Sequence, residues 1–212
     1  MRFQRCKLLF GDNFNKIKNA KIILFGVGGV GSFCLDALYR TGVKDITIVD
    51  FDKYEITNQN RQIGSEAIGK NKSEVLSTLY PGISYITHRV TKDWINNFNF
   101  NSYNLVIDAI DDIPAKVALA LKTYTKLISS CGGAKRIDST LIDINDIWKT
   151  TNDPFAKKFR YELKKSGFKY NFDVVYSKEL PKDIKDLGSF VGVTGTLGLT
   201  LASLAIKKLT IF

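Results

Sequence analysis

Histidine occurs once in the 212 residues, cysteine three times and proline four times. His88 has no evident partner and is assigned no role. Cys6, Cys34 and Cys131 are odd in number and widely spaced, which excludes a disulfide scaffold and every CxxC zinc knuckle. A reducing compartment fits best. Residues 1–9 are polar and basic and lack the apolar core of a secretory signal, so a cytoplasmic chain is expected. Internal repeats, low-complexity segments and Pro/Gly/Ser-rich linkers are all missing, so residues 1–212 are expected as one domain. At 44% hydrophobic residues the chain is too apolar for disorder. A chain of this length buries about 70% of its unfolded surface and needs neither disulfide nor metal to hold a core.

What is present in excess is positive charge. Lys and Arg number 31 against 21 Asp and Glu, and the surplus is uneven. Residues 1–112 hold 14 basic and 12 acidic residues, a net of +2, whereas residues 113–185 hold 15 and 8, a net of +7. A polyanionic partner would meet the second half, although a lysine-heavy surface alone has a plainer origin in base composition.

Apolar runs at 21–25, 46–49, 83–87 and 105–107 read as buried strands. Helical patterns lie between them at 31–41 and about 65–80, then at 114–124. In the first of these, Phe33, Ala37 and Leu38 share a face, and Asp36 and Arg40 form an outward i,i+4 pair. Such alternation predicts a doubly wound, Rossmann-like, mostly parallel α/β sheet covered by helices on both faces. Further strands are expected at 127–131, 137–144 and 172–176, with a helix near 155–165. On that helix Phe155, Phe159 and Leu163 face inward and Lys157, Lys158, Arg160, Lys164 and Lys165 surround the exposed side. Residues 187–206 carry no charge, a length that suits a membrane span. Their four glycines and several hydroxyl residues read better as a strand or turn over 188–198 leading into a buried helix at 199–209. Peripheral membrane contact through 187–209 stays open.

Gly26, Gly28, Gly29 and Gly31 follow the first strand and open a helix. Glycine there lets backbone approach a phosphate, and the helix N-terminus supplies N–H donors and positive dipole. Asp50 ends the next strand, 24 residues after Gly26, placed to accept from ribose hydroxyls. On these residues alone a dinucleotide oxidoreductase is the default. Three features argue for a triphosphate instead. Asn58, Asn60 and Arg61 are followed by Lys70 and Lys72, more fixed cations than a pyrophosphate needs. Asp108 and Asp111 end the fourth strand, where a carboxylate is placed to hold Mg²⁺, or alternatively to cap the next helix. Arg2 and Arg5 precede the first strand by about one helix, in position to reach across a dimer interface.

The set Gly26–Ser32, Asp50-Phe51-Asp52, Asn58–Gln62, Gly69–Lys72 and Asp108–Asp111 resembles the ThiF/MoeB/HesA adenylating enzymes, relatives of the ubiquitin-activating enzymes. The resemblance runs from Arg5 to about Gly133. It implies a nucleotide-binding half over 1–133 and a basic, substrate-facing half over 134–212. It implies that Gly26, Gly28, Gly29, Gly31, Asp50, Asp52, Asn58, Asn60, Arg61 and Lys72 bind ATP, that Asp111 holds magnesium, and that Arg5 enters a neighbouring subunit's site in a homodimer. Catalysis would fall to Arg5, Arg61, Lys72 and Asp111.

In the back half, Ile137-Asp138, Asp146-Ile147, Asp153–Phe155, Arg160, Leu163 and Val174–Glu179 resemble the branch of that family that dehydrates threonylcarbamoyladenosine in tRNA. Ser139 and Gly132–Lys135 depart from its pattern. The branch implies ATP-dependent cyclisation through an acyl-adenylate, with ATP and Mg²⁺, a monovalent cation in some members, tRNA rather than DNA as partner, and in some a cysteine desulfurase or sulfur-acceptor system. Lys157, Lys158, Arg160, Lys164 and Lys165 are then expected against tRNA. Adenylation of the C-terminal glycine of a ubiquitin-like sulfur carrier is the alternative, disfavoured because no CxxC pair and no cysteine after Cys131 is present. A nicotinamide oxidoreductase and a non-catalytic ATP-binding adaptor remain as weaker readings.

Overall fold

The computed structural model describes residues 2–211; Met1 and Phe212, at the two ends of the single-domain reading, lie outside them. Two short helices, α1 (Gln4–Phe10) and α2 (Asn13–Asn19), lead into β1 (Lys21–Phe25) and α3 (Gly31–Thr41). Then come β2 (Asp45–Val49), α4 (Lys72–Leu79), β3 (Ser84–Ile86), α5 (Lys92–Asn97), β4 (Leu105–Asp108), α6 (Ile113–Thr123) and β5 (Leu127–Ser130). The chain ends with β6 (Ile142–Asp146), α7 (Pro154–Lys165), β7 (Asp173–Ser177) and α8 (Val191–Ile211).

The seven strands lie in the order β3-β2-β1-β4-β5-β7-β6. Every neighbouring pair is parallel except β6 and β7. From β1 the chain winds outward through β2 and β3, then returns to place β4 on the other side of β1. The sheet therefore has its switch point between β1 and β4, where the carboxyl ends of the strands leave a crevice. Ile22–Phe25, Leu105–Asp108 and Leu127–Ser130 are buried on both faces, as expected of central parallel strands.

Helices α2, α3, α4 and α8 cover one face and α5, α6 and α7 the other, giving two separate apolar clusters on either side of the sheet. Asp36 and Arg40 pair at 2.7 Å on the outer face of α3, and Phe159 and Leu163 of α7 are fully buried, as the sequence pattern indicated.

Four expectations about the elements fail. Residues 83–87, expected as a buried strand, give only β3 at the edge of the sheet, with Ser84 and Tyr85 exposed, because one side of that strand has no neighbour. Residues 188–198 form no strand: α8 begins at Val191 and runs through the glycines. A Cβ on Gly198 would stand 2.2 Å from the Val30 carbonyl, and one on Gly195 would touch the Phe33 ring at 3.5 Å. These glycines let α8 lie close on α3; they are packing residues, not breakers. The strand expected over 137–144 begins only at Ile142, because Asp138 accepts from the Thr140 N–H and caps a 3₁₀ turn, Ser139–Leu141. The helix expected from residue 65 begins at Lys72, because the chain first turns through Gly64 and Gly69, both at positive φ. No helix among the described residues is long and apolar enough to cross a membrane.

Candidate functional site

The switch-point crevice is built from three loops at the carboxyl ends of β1, β2 and β4. In the first, Gly26 has φ +78° and a Cβ there would lie 2.8 Å from the Ala109 carbonyl oxygen of the β4 loop. A Cβ on Gly31 would lie 1.8 Å from the Gly26 carbonyl. Only glycine allows the loop to fold back so tightly onto the first turn of α3, which brings the start of that helix to the crevice.

Asp50 ties this loop to the second. Its carboxylate accepts from Val27 N–H at 2.8 Å and from Asp52 N–H at 2.8 Å. Burial pushes the Asp50 carboxyl above its ordinary range, opposed by those two N–H groups and by nearby Lys72. Lys72, the first residue of α4, donates its N–H to the Asp52 carbonyl and lays its buried ammonium 3.1 Å from the Asp52 carboxylate. Asp52 itself is exposed, so the pair has one face in the interior and the other in solvent.

A 3₁₀ turn over Ile56–Asn58 carries the next residues. Asn58 is buried and accepts from the Glu55 N–H at 3.1 Å, which shapes the turn. Asn60 donates to the Ser189 carbonyl at 3.1 Å, joining this loop to the lead-in of α8. The Arg61 guanidinium bonds to Thr57 O at 2.9 Å and Asn60 Oδ1 at 2.8 Å, and the arginine's methylene stem covers Gly29, 3.3 Å from where a Cβ would stand. Gln62 lies similarly over Gly28, and its buried Oε1 has no hydrogen-bond partner among the described residues. Gln62 closes the Asn58–Gln62 motif, yet the sequence reading assigns it no role of its own.

At the end of β4 the roles of three carboxylates separate. Asp112 caps α6, accepting from Ala115 N–H at 2.8 Å. Asp111 is thereby released from the capping role that the sequence left open, and its side chain is exposed at the crevice with no partner among the described residues. Asp108 is wholly buried, pairing with Lys116 at 2.8 Å and accepting from the Ser129 hydroxyl at 2.7 Å. Lys116 also donates to the Ile110 and Ser130 carbonyls, so its ammonium fixes the backbone immediately before Asp111.

The structure thus brings Gly26, Gly28, Gly29, Gly31, Asp50, Asp52, Asn58, Asn60, Arg61, Lys72 and Asp111 to one end of the sheet. Arg5 is not with them. It is exposed on α1, which packs beside the far end of α3, where Cys6 Sγ lies 3.9 Å from the Arg40 carbonyl. The helix between spans about 16 Å.

Beyond β5, Cys131 is buried and burial pushes its thiol well above the ordinary range, so it is a core residue without thiolate character. Arg136 is buried and fastens the following loop, donating to the Gly132 and Glu179 carbonyls and lying 3.3 Å from Asp153, the N-cap of α7. On α7, Lys157, Lys158, Lys164 and Lys165 are exposed. Arg160 is not free beside them: its guanidinium donates to the Thr150 carbonyl at 3.1 Å and to the Thr150 hydroxyl, stapling α7 to the preceding turn.

The ThiF family model matches residues 4–211. A tRNA threonylcarbamoyladenosine dehydratase of Bacillus subtilis is 36% identical over 197 residues, covering 87% of this chain and 78% of its own. Two crystal structures of the Escherichia coli enzyme TcdA, each 33% identical and covering 98% of this chain and 93% of theirs, superpose with TM-scores of 0.92 for the complex with AMP and 0.90 for that with ATP. The likeness therefore extends from the crevice through the basic back half, and the chain belongs to the ThiF family.

Proposed function

We propose that this protein is an ATP-dependent tRNA threonylcarbamoyladenosine dehydratase. The observation that carries the reading is the continuity of the match: relatives of that name align with this chain through both halves. The crevice supports it chemically. The α3 N-terminus and the glycine loop suit phosphates, Asp50 the ribose, and Arg61 and Lys72 the negative charge of a triphosphate.

The threonyl carboxylate of the modified nucleoside attacks the α-phosphorus of ATP, forming an acyl-adenylate and expelling pyrophosphate. The ureido nitrogen then attacks the activated carbonyl, loses its proton and expels AMP, so the nucleoside loses the elements of one water. Ring closure is intramolecular and needs no protein nucleophile, which agrees with the buried, protonated thiol of Cys131. The chain's own part is electrostatic: charge growing on the α-phosphate is met by Arg61 and Lys72. Among the described residues no group of three or more His, Cys, Asp or Glu is arranged to hold a metal. Asp111, exposed and without a partner among the described residues, would hold Mg²⁺, and the ion would supply further charge neutralisation there. Arg5, remote from its own crevice, serves the reading only as a contribution to the site of a second copy in a homodimer.

Nucleoside mass spectrometry of tRNA carrying linear threonylcarbamoyladenosine tests the reading. Loss of one water only with ATP and Mg²⁺, with AMP released, is expected; an intact nucleoside beside tight ATP binding overturns it. Arg61→Ala is expected to fold and to lose about 10²–10³ in rate, and near wild-type turnover would remove it from the mechanism.

A further inference from the structure

Beside Asp111 a groove of about 800 Å³ runs between α6 and α7. It extends from Asp111, in the loop before α6, along that helix to Leu121, and along α7 from Phe155 to Ser166 just past its end. Ile113, Val117, Leu121 and Phe155 give it an apolar lining, and Leu121 is 44% exposed with nothing covering it. Lys92, Lys158 and Lys165 also line it. None of the three has a hydrogen-bond or ion-pair partner for its ammonium among the described residues. Lys158 and Lys165 stand two helical turns apart, about 10 Å along the axis. Lys157 and Lys164 continue the positive surface beyond the rim.

Three carboxylates share the lining, and two are spoken for. Asp112 caps α6, and Asp111 belongs to the crevice. Glu162 is left between Lys158 and Lys165. The lining thus balances three lysines with three carboxylates, sets its lysines along α5 and α7 beside apolar side chains, and reaches Asp111 at one end. That combination suits a strand with apolar rings and spaced phosphates. Single-stranded nucleic acid is recognised by stacking or apolar contact for bases and cations for the backbone.

We propose that this groove takes the unpaired loop nucleotides adjoining the modified adenosine, with a base against Phe155, Val117 and Leu121 and phosphates on Lys158, Lys165 and Lys92. The assignment rests on the dehydratase reading and specifies where the RNA strand lies once its modified nucleoside is in the crevice. It also gives the α7 lysines different duties: Lys158 and Lys165 hold the loop, whereas Lys157 lies beyond the rim and Lys164 rests over the Trp148 ring.

Photo-crosslinking with the full-length protein tests this. The probe is an anticodon stem-loop RNA bearing linear threonylcarbamoyladenosine with 4-thiouridine at the adjoining loop position. Adducts are expected within residues 113–121 or 154–166. Leu121→Glu and the double variant Lys158→Glu/Lys165→Glu alter exposed side chains. Each is expected to raise the KM for tRNA about tenfold or more while calorimetric ATP affinity stays within about twofold, and the double variant is expected to lower the salt slope of RNA binding by about 2. Adducts outside the groove, with unchanged KM in both variants, overturn the proposal. Wild-type turnover, read in the same reactions, reports separately on the dehydratase reading. Groove adducts without turnover overturn that reading and support the groove, and turnover with adducts elsewhere overturns the groove alone.

Discussion

The buried pair behind Asp111 gives the sharpest prediction. Lys116 and Asp108 are both fully inaccessible, and Lys116 satisfies three acceptors at once: Asp108 at 2.8 Å, Ser130 O at 2.8 Å and Ile110 O at 3.1 Å. Lys116→Met keeps most of the side-chain volume and removes the charge. It leaves the Asp108 carboxylate in the core with only the Ser129 hydroxyl and the Ile110 N–H as neutral donors in place of its ion partner. Stranding one partner of a buried pair costs about 3–5 kcal/mol, a large share of a total stability of about 5–15 kcal/mol. With an m-value of about 2–3 kcal/mol/M in urea, the unfolding midpoint should fall by more than about 1 M. Replacing both partners, Asp108→Leu with Lys116→Met, removes the stranded charge and should be more stable than Lys116→Met alone. A midpoint for Lys116→Met within roughly 0.3 M of wild type, or a double variant as unstable as the two single losses added, would refute this account of the site.

Gly198→Ala should destabilise by about 1–3 kcal/mol, because its Cβ would meet the Val30 carbonyl at 2.2 Å and must push α8 from α3; denaturant unfolding at wild-type midpoint would contradict it. Iodoacetamide near neutral pH should label Cys6, which is partly accessible, while Cys34 and Cys131 react only after unfolding. Burial raises both of those thiols and holds them protonated, so labelling of either in the native protein would show that the core opens there.

The nucleotide end of the fold was open to reading because its constraints are local. Gly26, Gly31 and Asp50 act through backbone turns and strand ends, which sequence spacing records directly. β1 and α3 agree with the residues expected for them, and β2, β4 and α6 fall within a residue or so at each end. What escaped depends on tertiary contact. Asp108 and Asp112 look like Asp111 in sequence, and only the fold shows that Asp108 meets Lys116 and that Asp112 caps α6. Arg160 sits on the charged side of α7 by periodicity, yet its long side chain folds back to Thr150. The glycines of α8 carry breaker chemistry in isolation and become helix-contact residues only because α3 lies against them. The groove between α6 and α7 is invisible to any single segment, since its two walls lie some 40 residues apart.

The seating of α3 by α8 also bears on how the chain is made. Helix α3, which follows the glycine loop, shares one apolar cluster through Leu35 and Leu38 with Val193, Leu197 and Leu201, residues synthesised about 160 positions later. Until those residues have left the ribosome, the glycine loop has a strand before it and a helix after it whose outer apolar face is bare. Such long-range closure is slow, and it leaves partly folded chains open to aggregation. A chain that has not yet made α8 therefore presents the outer apolar face of α3 to solvent, whatever the glycine loop has already done.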